Sequence, residues 1–464
     1  MNTVSRKKSK NKKNLRSRKQ ATPAKINPRV RLYEEIEEEY LDGLRAAGIL
    51  FAPKGTDAPE CKVLLERLKE KGARFRNGTA SISINNLSSA CIACTGDPGS
   101  KTFLLSVQCH RDCYYCFNTN QKDYEKQLVQ LNDWQSELEA YAAELKEQSV
   151  DPATFGFAER AGQQDGQPSV LATHIALTGG EPLIHKEETI GFFKEVRHRY
   201  PEAHTRLYTS GDLLNSETFK TLQETDLTEI RFSVKLEDPP KLRNKVLGLI
   251  KEAKASIPQV MVEMPVIPDT KAEMETLLLQ LDEIGIYSIN LLEFGFPLHR
   301  WEEFSSRDFK VKNPPYEVLY NYYYAGGLPV QGSELLALEL LDFALDRELS
   351  LGVHYCSMAN KHRDQVFTMN RPHADTNPVY LLDESDFFLK SAVAFDRDRE
   401  KLLQALSRHG SVAYFDDPTD NSLQINPRDK GLFDDLSLNF YTSSSIVEIQ
   451  DGEPVFRELK LEKV

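Results

Sequence analysis

The chain has 464 residues but no run approaching the roughly 20 apolar residues that cross a bilayer. Its N-terminus also lacks the apolar segment of a secretory signal. A cytoplasmic protein without membrane contact is therefore expected. Cysteine is scarce and odd in number: seven residues, Cys61, Cys91, Cys94, Cys109, Cys113, Cys116 and Cys356. An odd set in a large chain without a signal argues against a disulfide framework and for metal ligation in a reducing compartment. Acid is missing from residues 1–29, which hold eleven Lys or Arg, whereas the remainder carries 47 basic against 70 acidic residues. The stretch Arg6–Lys13 has no apolar periodicity and is expected to be disordered. A cationic arm of this kind binds phosphates without sequence preference, so RNA contact stands beside a solvated or self-docking tail. The acidic body argues against extensive RNA contact. No repeat at solenoid periods is present.

What is present is Cys109-His-Arg-Asp-Cys113-Tyr-Tyr-Cys116. This C-x3-C-x2-C run follows Phe103-Leu-Leu-Ser-Val107, which reads as a short buried strand. The thiols would then fall on the loop leaving its C-terminal end. A short loop gathers three thiolates at little closure cost, and three thiolates can hold three irons of a [4Fe–4S] cluster. No fourth cysteine of a ferredoxin run stands nearby, so the remaining iron is left for a small molecule. A zinc site is the alternative, but zinc prefers four ligands in paired knuckles, and His110 is awkwardly adjacent to Cys109.

From residue 103 onward, strand-like and helix-like segments alternate. Strands are expected at 103–107, 174–178, 205–209, 229–235, 259–264, 286–292 and 351–355. Helices are expected at 122–148, 186–199, 216–224, 240–254, 271–283 and 333–347. This is the pattern of βα units around a parallel sheet, an α/β fold in a partial or full (β/α) barrel, with ligands at the C-terminal strand ends. Four regions follow. Residues 1–29 form the basic tail, and 30–102 a helical, cysteine-containing extension with helices at 31–47 and 58–72 and an irregular stretch at 73–102. Residues 103–365 form the barrel, with a loop-like insertion at 295–332 bearing Tyr320, Tyr322, Tyr323 and Tyr324. Residues 366–464 include a small β-rich subdomain, with strand-prone pieces at 411–415, 436–441 and 445–449.

One βα unit after the cysteines comes Thr178-Gly-Gly-Glu-Pro182. Glycine lets a backbone approach a ligand closely or adopt positive φ. Together the cysteine run and this motif resemble the radical S-adenosylmethionine (radical SAM) superfamily. The resembling pieces are Cys91-x-x-Cys94, the 109–116 loop, Gly179–Pro182, Val262-Glu-Met-Pro-Val-Ile-Pro268, Ile289–Glu293 and His354-Tyr-Cys-Ser357. They are similar to a branch often labelled pyruvate formate-lyase activating enzyme-like. The resemblance implies a [4Fe–4S] cluster on Cys109, Cys113 and Cys116 whose open iron takes S-adenosylmethionine (SAM). One electron, from a donor such as flavodoxin or ferredoxin, would then cleave SAM to a 5′-deoxyadenosyl radical that abstracts hydrogen from a substrate. It further implies SAM contacts from Tyr115, Gly179, Gly180, Glu181 and Pro182, and on later strands from Ser210, Ser233, Lys235 and Glu263.

Cys91-Ile-Ala-Cys94 and Cys356 make a second set, fit for zinc or a second Fe–S cluster, with buried free thiols as the plain alternative. One geometric objection stands against it. Cys94 precedes the first barrel strand and Cys356 follows the last, nominally at opposite barrel ends. Cys61, in mid-helix, is expected to be core packing. Three functions are carried forward: a radical SAM enzyme acting on a peptide or protein, a radical SAM enzyme modifying RNA, and a metal-binding or redox-sensing protein without catalysis.

Overall fold

The computed structural model describes residues 28–120, 124–148, 172–297, 300–316, 318, 327–450 and 452–463. Most of the basic tail, and Tyr320, Tyr322, Tyr323 and Tyr324, lie outside the described residues. Two short strands come first, β1 (Arg74–Arg76) and β2 (Ser81–Ile84). The βα units follow: β3 (Ser100–Leu104), β4 (His174–Thr178), β5 (His204–Thr209), β6 (Glu229–Phe232), β7 (Gln259–Val266) and β8 (Ser288–Glu293). A small antiparallel pair, β9 (Gly295–Pro297) and β10 (Gly327–Pro329), precedes β11 (Gly352–Cys356). Strands β1 to β8 and β11 make one nine-stranded open sheet in the order β1-β2-β11-β8-β7-β6-β5-β4-β3. Strands β3 to β8 and β11 run parallel, and β2 closes the series antiparallel to β11.

Side chains alternate across this sheet, as strand geometry requires. Leu177, Leu207, Ile230, Val262, Ile289 and Val353 join helix residues such as Phe192, Phe219, Leu278 and Leu341 in the main apolar cluster. Burying each such side chain contributes about 1.5–3 kcal/mol. The opposite face is polar and equally buried, with Arg206, Glu229, Arg231, Asn290 and His354. The barrel is thus held together from its outer face, while its interior is lined with charge.

A second, antiparallel sheet occupies the C-terminal part. It holds β12 (Leu381–Leu382), β13 (Leu389–Phe395), β14 (Tyr414–Asp417), β15 (Ser422–Ile425), β16 (Tyr441–Gln450) and β17 (Glu453–Lys463). The helix Asp396–Leu406 covers it with Leu402 and Leu406. The N-terminal helix Pro28–Ala46 docks on the same sheet, with Arg29 Nε donating to Glu458 Oε1 at 2.7 Å. Among the described residues no helix is long and apolar enough to cross a membrane.

The α/β barrel with a β-rich C-terminal part is the architecture the sequence predicts. Several boundaries differ. The first barrel strand is 100–104, not 103–107, because Leu105 and the residues after it peel away toward the cysteine loop. The expected helix 122–148 is two helices, Tyr124–Gln127 and Trp134–Gln148. Asn132 breaks it by donating Nδ2 to the Leu104 carbonyl at 2.7 Å. Residues 73–102 are not irregular: they contain β1, β2 and the helix Ser89–Ala93. The strand expected at 436–441 begins only at Tyr441, after a 3-10 stretch that ends at Leu436. The helix Met358–Asn370 carries no strong apolar period and was not expected.

Candidate functional site

The cysteine loop leaves β3 and lies at the C-terminal strand ends. Cys109 is exposed, and Cys113 and Cys116 are half-buried. The three thiols stand close enough to act on one another. Burial raises the pKa of Cys109 and Cys113; Lys235 favours their thiolates, while Cys116 opposes them. Glu181 also bears on Cys109.

Charged clamps fix the loop. Arg111 donates Nε and Nη2 to Asp212, at 2.5 and 2.9 Å, and Nη1 to Asp238 at 2.9 Å. His110 Nε2 lies 2.8 Å from Asp212 Oδ2 and joins the same clamp. Burial alone would raise the Asp212 pKa, but Arg111 and His110 outweigh it and hold the carboxyl at about 2. Arg300 donates to Asp112 at 2.7 Å and to the Cys113 carbonyl at 3.3 Å. Sequence reasoning missed these partners. Asp212 lies two residues after Ser210, but nothing local links it to Arg111.

The Gly179–Gly180 pair explains how β4 meets the loop. Gly180 donates its N–H to the Ser106 carbonyl at 2.8 Å, and Asn118 Nδ2 donates to the Gly179 carbonyl at 2.9 Å. A Cβ on Gly179 would sit 2.3 Å from the Ser106 oxygen, and one on Gly180 would sit 2.1 Å from the Gln108 oxygen. Any side chain would therefore push the cysteine loop off the sheet. Glu181 is buried and fully engaged. It accepts from Thr209 Oγ1 (2.8 Å), from Ser210 N and Oγ (2.7 and 2.6 Å) and from Leu183 N (3.2 Å). Glu181 and Ser210 thus brace β4 to β5, and Pro182 begins a buried 3-10 turn.

Tyr115 packs edge-on against Phe294 and Tyr114, with centroids 6.0 and 4.9 Å apart. Lys235 is half-buried, and Ser233 is exposed, its N–H bonded to the Thr209 carbonyl at 3.0 Å. Glu263 is placed apart from these, inside the barrel. It accepts from Arg231 Nη1 at 2.5 Å and Asn290 Nδ2 at 2.7 Å. Burial opposes its charge, yet Arg231 prevails and its pKa falls.

A 4Fe-4S single cluster domain family matches residues 95–245. A Methanocaldococcus jannaschii protein, provisionally named a glycyl-radical enzyme activating enzyme, is 23% identical over 358 residues, covering 74% of this chain and 83% of that protein. The iron–sulfur family match spans both the 109–116 loop and the Gly179–Pro182 motif. Among solved structures, SuiB of Streptococcus suis bound to its precursor peptide SuiA aligns at 11% identity and a TM-score of 0.38, covering 74% of this chain and 64% of SuiB. Coproporphyrinogen III oxidase of Escherichia coli, a radical SAM enzyme, aligns at 14% identity and a TM-score of 0.31, covering 55% of each chain.

The residues fit the superfamily's cluster. Three thiols converge on one clamped loop, and two glycines leave the space that the loop's backbone fills. Among the described residues, no group of three or more His, Cys, Asp or Glu is arranged around a single metal ion. A cubane makes no such demand, because each thiolate binds a different iron. The matched family's group is a single [4Fe–4S] cluster.

Proposed function

We propose that this chain is a radical SAM enzyme that acts on a peptide or protein. One observation carries the reading: Phe294, Gly295, Arg300, Arg307 and Gly327, all on the segment after β8, pack directly on the cysteine loop and Phe117 behind it. The ring of Phe117 lies against Gly295 and Gly327, where a Cβ would come within 2.4 and 2.9 Å of it. Arg307 stands over Tyr114 at 4.1 Å, and Arg300 holds the loop's backbone. Beside this segment opens a cavity of about 440 Å³, lined by Glu293, Lys312, Tyr316, Tyr355 and Ser357 among others. An addition to the barrel that touches the cofactor loop and frames a cavity suits recognition of an extended chain. Activation of a glycyl-radical enzyme, the role in the archaeal relative's name, is one case.

When bound and reduced, the cluster supplies the electron that cleaves SAM to methionine and a 5′-deoxyadenosyl radical. The chain's own residues position and shield. Arg111, Asp212 and Asp238 fix the loop, and Glu181 with Ser210 holds the β4 and β5 ends in register. Gly179, Gly180, Tyr115, Ser233 and Lys235 form the face offered to SAM, with Lys235 beside the thiols as the partner for its carboxylate. Pro182 shapes the turn behind them. A flavodoxin or ferredoxin approaches on the exposed Cys109 side.

The test is anaerobic reconstitution, then SAM, dithionite and deuterated peptide. Deuterium in 5′-deoxyadenosine is expected. A loaded cluster that yields no 5′-deoxyadenosine would leave only a metal-binding or redox-sensing role. The second reading, an RNA substrate, draws on the basic arm. If it holds, removing residues 1–29 weakens RNA binding and flattens its salt dependence.

A further inference from the structure

The barrel interior gathers the other cysteines. The helix Ser89–Ala93 enters at the N-terminal end of the sheet, where Ser88 Oγ donates to Glu229 at 2.5 Å and Ser89 Oγ lies 3.1 Å from His174 Nε2. Cys356, at the end of β11, meets it. Asn360 Nδ2 lies 3.3 Å from Cys356 Sγ, and Asn360 Oδ1 accepts from Asn77 Nδ2 at 2.7 Å. Asn77 reaches Thr95, the residue after Cys94, at 3.5 Å. Strand tilt explains how nominally opposite ends become neighbours. The register steps around a curved sheet, so the end of β11 comes round to the level where β3 begins.

We propose that Cys91, Cys94 and Cys356 hold a second iron–sulfur cluster inside the barrel, separate from the one on the 109–116 loop. Their surroundings are not those of inert core thiols. Cys61 sits in the main apolar cluster, whereas Cys91 and Cys356, just as buried, belong to none of the apolar clusters of the described residues. Arg231 Nη2 lies 3.2 Å from Cys91 Sγ, and Asn360 serves Cys356. Donors aimed at sulfur are what cluster ligands require, and a buried cation offsets thiolate charge. Cys91 and Cys356 both act on Cys94, and Arg206 stands near Cys91 and Cys94. The Nε atom of Arg206 has no partner among the described residues.

The charges around this set are Arg206, Glu229, Arg231, Glu263, Lys361 and Asp364. The rim thiols instead feel Lys235, Glu181 and Glu237, so the two sets are separate sites. The matched single-cluster family begins at residue 95 and ends at 245, leaving out all three of these cysteines. Zinc would want four ligands around one ion, and among the described residues no group of three or more His, Cys, Asp or Glu is so arranged.

The test removes the rim site first. A Cys109→Ala/Cys113→Ala/Cys116→Ala protein, altered only in its surface loop, is reconstituted anaerobically with iron and sulfide. It is expected to hold about four iron and about four acid-labile sulfide per chain, against about eight of each in the unaltered protein. A [4Fe–4S] Mössbauer signature should accompany them. Adding Cys356→Ala should abolish that iron, and Cys94→Ala takes its place if the first does not fold. No iron in the rim-deleted protein would overturn the proposal. Iron that survives the added substitution, or one zinc per chain in its stead, would overturn it as well.

Discussion

The two cysteine sets stand in opposite surroundings. The rim set sits on a partly exposed loop, held by ion pairs that solvent reaches. The interior set is sunk among buried charges that brace one another. Glu229 accepts from Arg231 Nε at 2.5 Å and from Ser88, and lies 3.1 Å from His204 Nε2. Its carboxyl is held well below the usual range because Arg231 and His204 overcome the cost of burial. A site meant for exchange with small molecules tolerates solvent and needs geometric control. A site deep in a barrel needs charge balance, since an unpaired buried ion is expensive.

Substitutions can break the comparison at either end. The largest effect belongs to the rim. Replacing Cys109, Cys113 and Cys116 by Ala should reduce 5′-deoxyadenosine formation to background while leaving the melting temperature of metal-free protein nearly unchanged. Next is Arg231→Met, which strands two buried carboxylates. Urea unfolding should show a loss of about 3–5 kcal/mol. The same change at Arg111, whose clamp is partly solvated, should cost about 1 kcal/mol or less. Equal losses at the two arginines would remove the contrast.

Gly180→Ala should come third. Its Cβ would collide with the Gln108 carbonyl, so iron bound at the rim should fall several-fold, with a stability loss of about 1–3 kcal/mol. The smallest effect is one of pH. Asp212 is depressed to about 2, so its contribution is complete above the unfolded carboxylate value near 3.9 and fades as pH falls toward about 2. In metal-free protein, Asp212→Asn should flatten the stability curve in that window and lower it by a constant amount near neutrality.

Much of this was legible in the sequence. Strand 174–178 and helix 186–199 are found at the residues their patterns predict, because each buries a regular apolar face. The rim thiols needed only local spacing. The interior set was legible as a candidate, but its grouping was not, because Cys356 approaches Cys94 through the tilt of a whole sheet. Strands β1 and β2 escaped notice as pieces of three and four residues, β2 fixed by pairing with β11 far along the chain and β1 by pairing with β2. Glu263 looked like a rim residue by position. The alternation that turns it toward Arg231 emerges only once neighbouring strands are in register. The Arg111 clamp joins residues separated by 101 and 127 positions, which no local pattern records.

That long reach has a consequence for assembly. A loop tied to Asp212 and Asp238 cannot adopt its working shape until β5 and β6 have joined the sheet. Metal would therefore enter a finished scaffold and would not drive its folding, unlike small domains that collapse around their ion. The cell could then make this protein empty and fill it later.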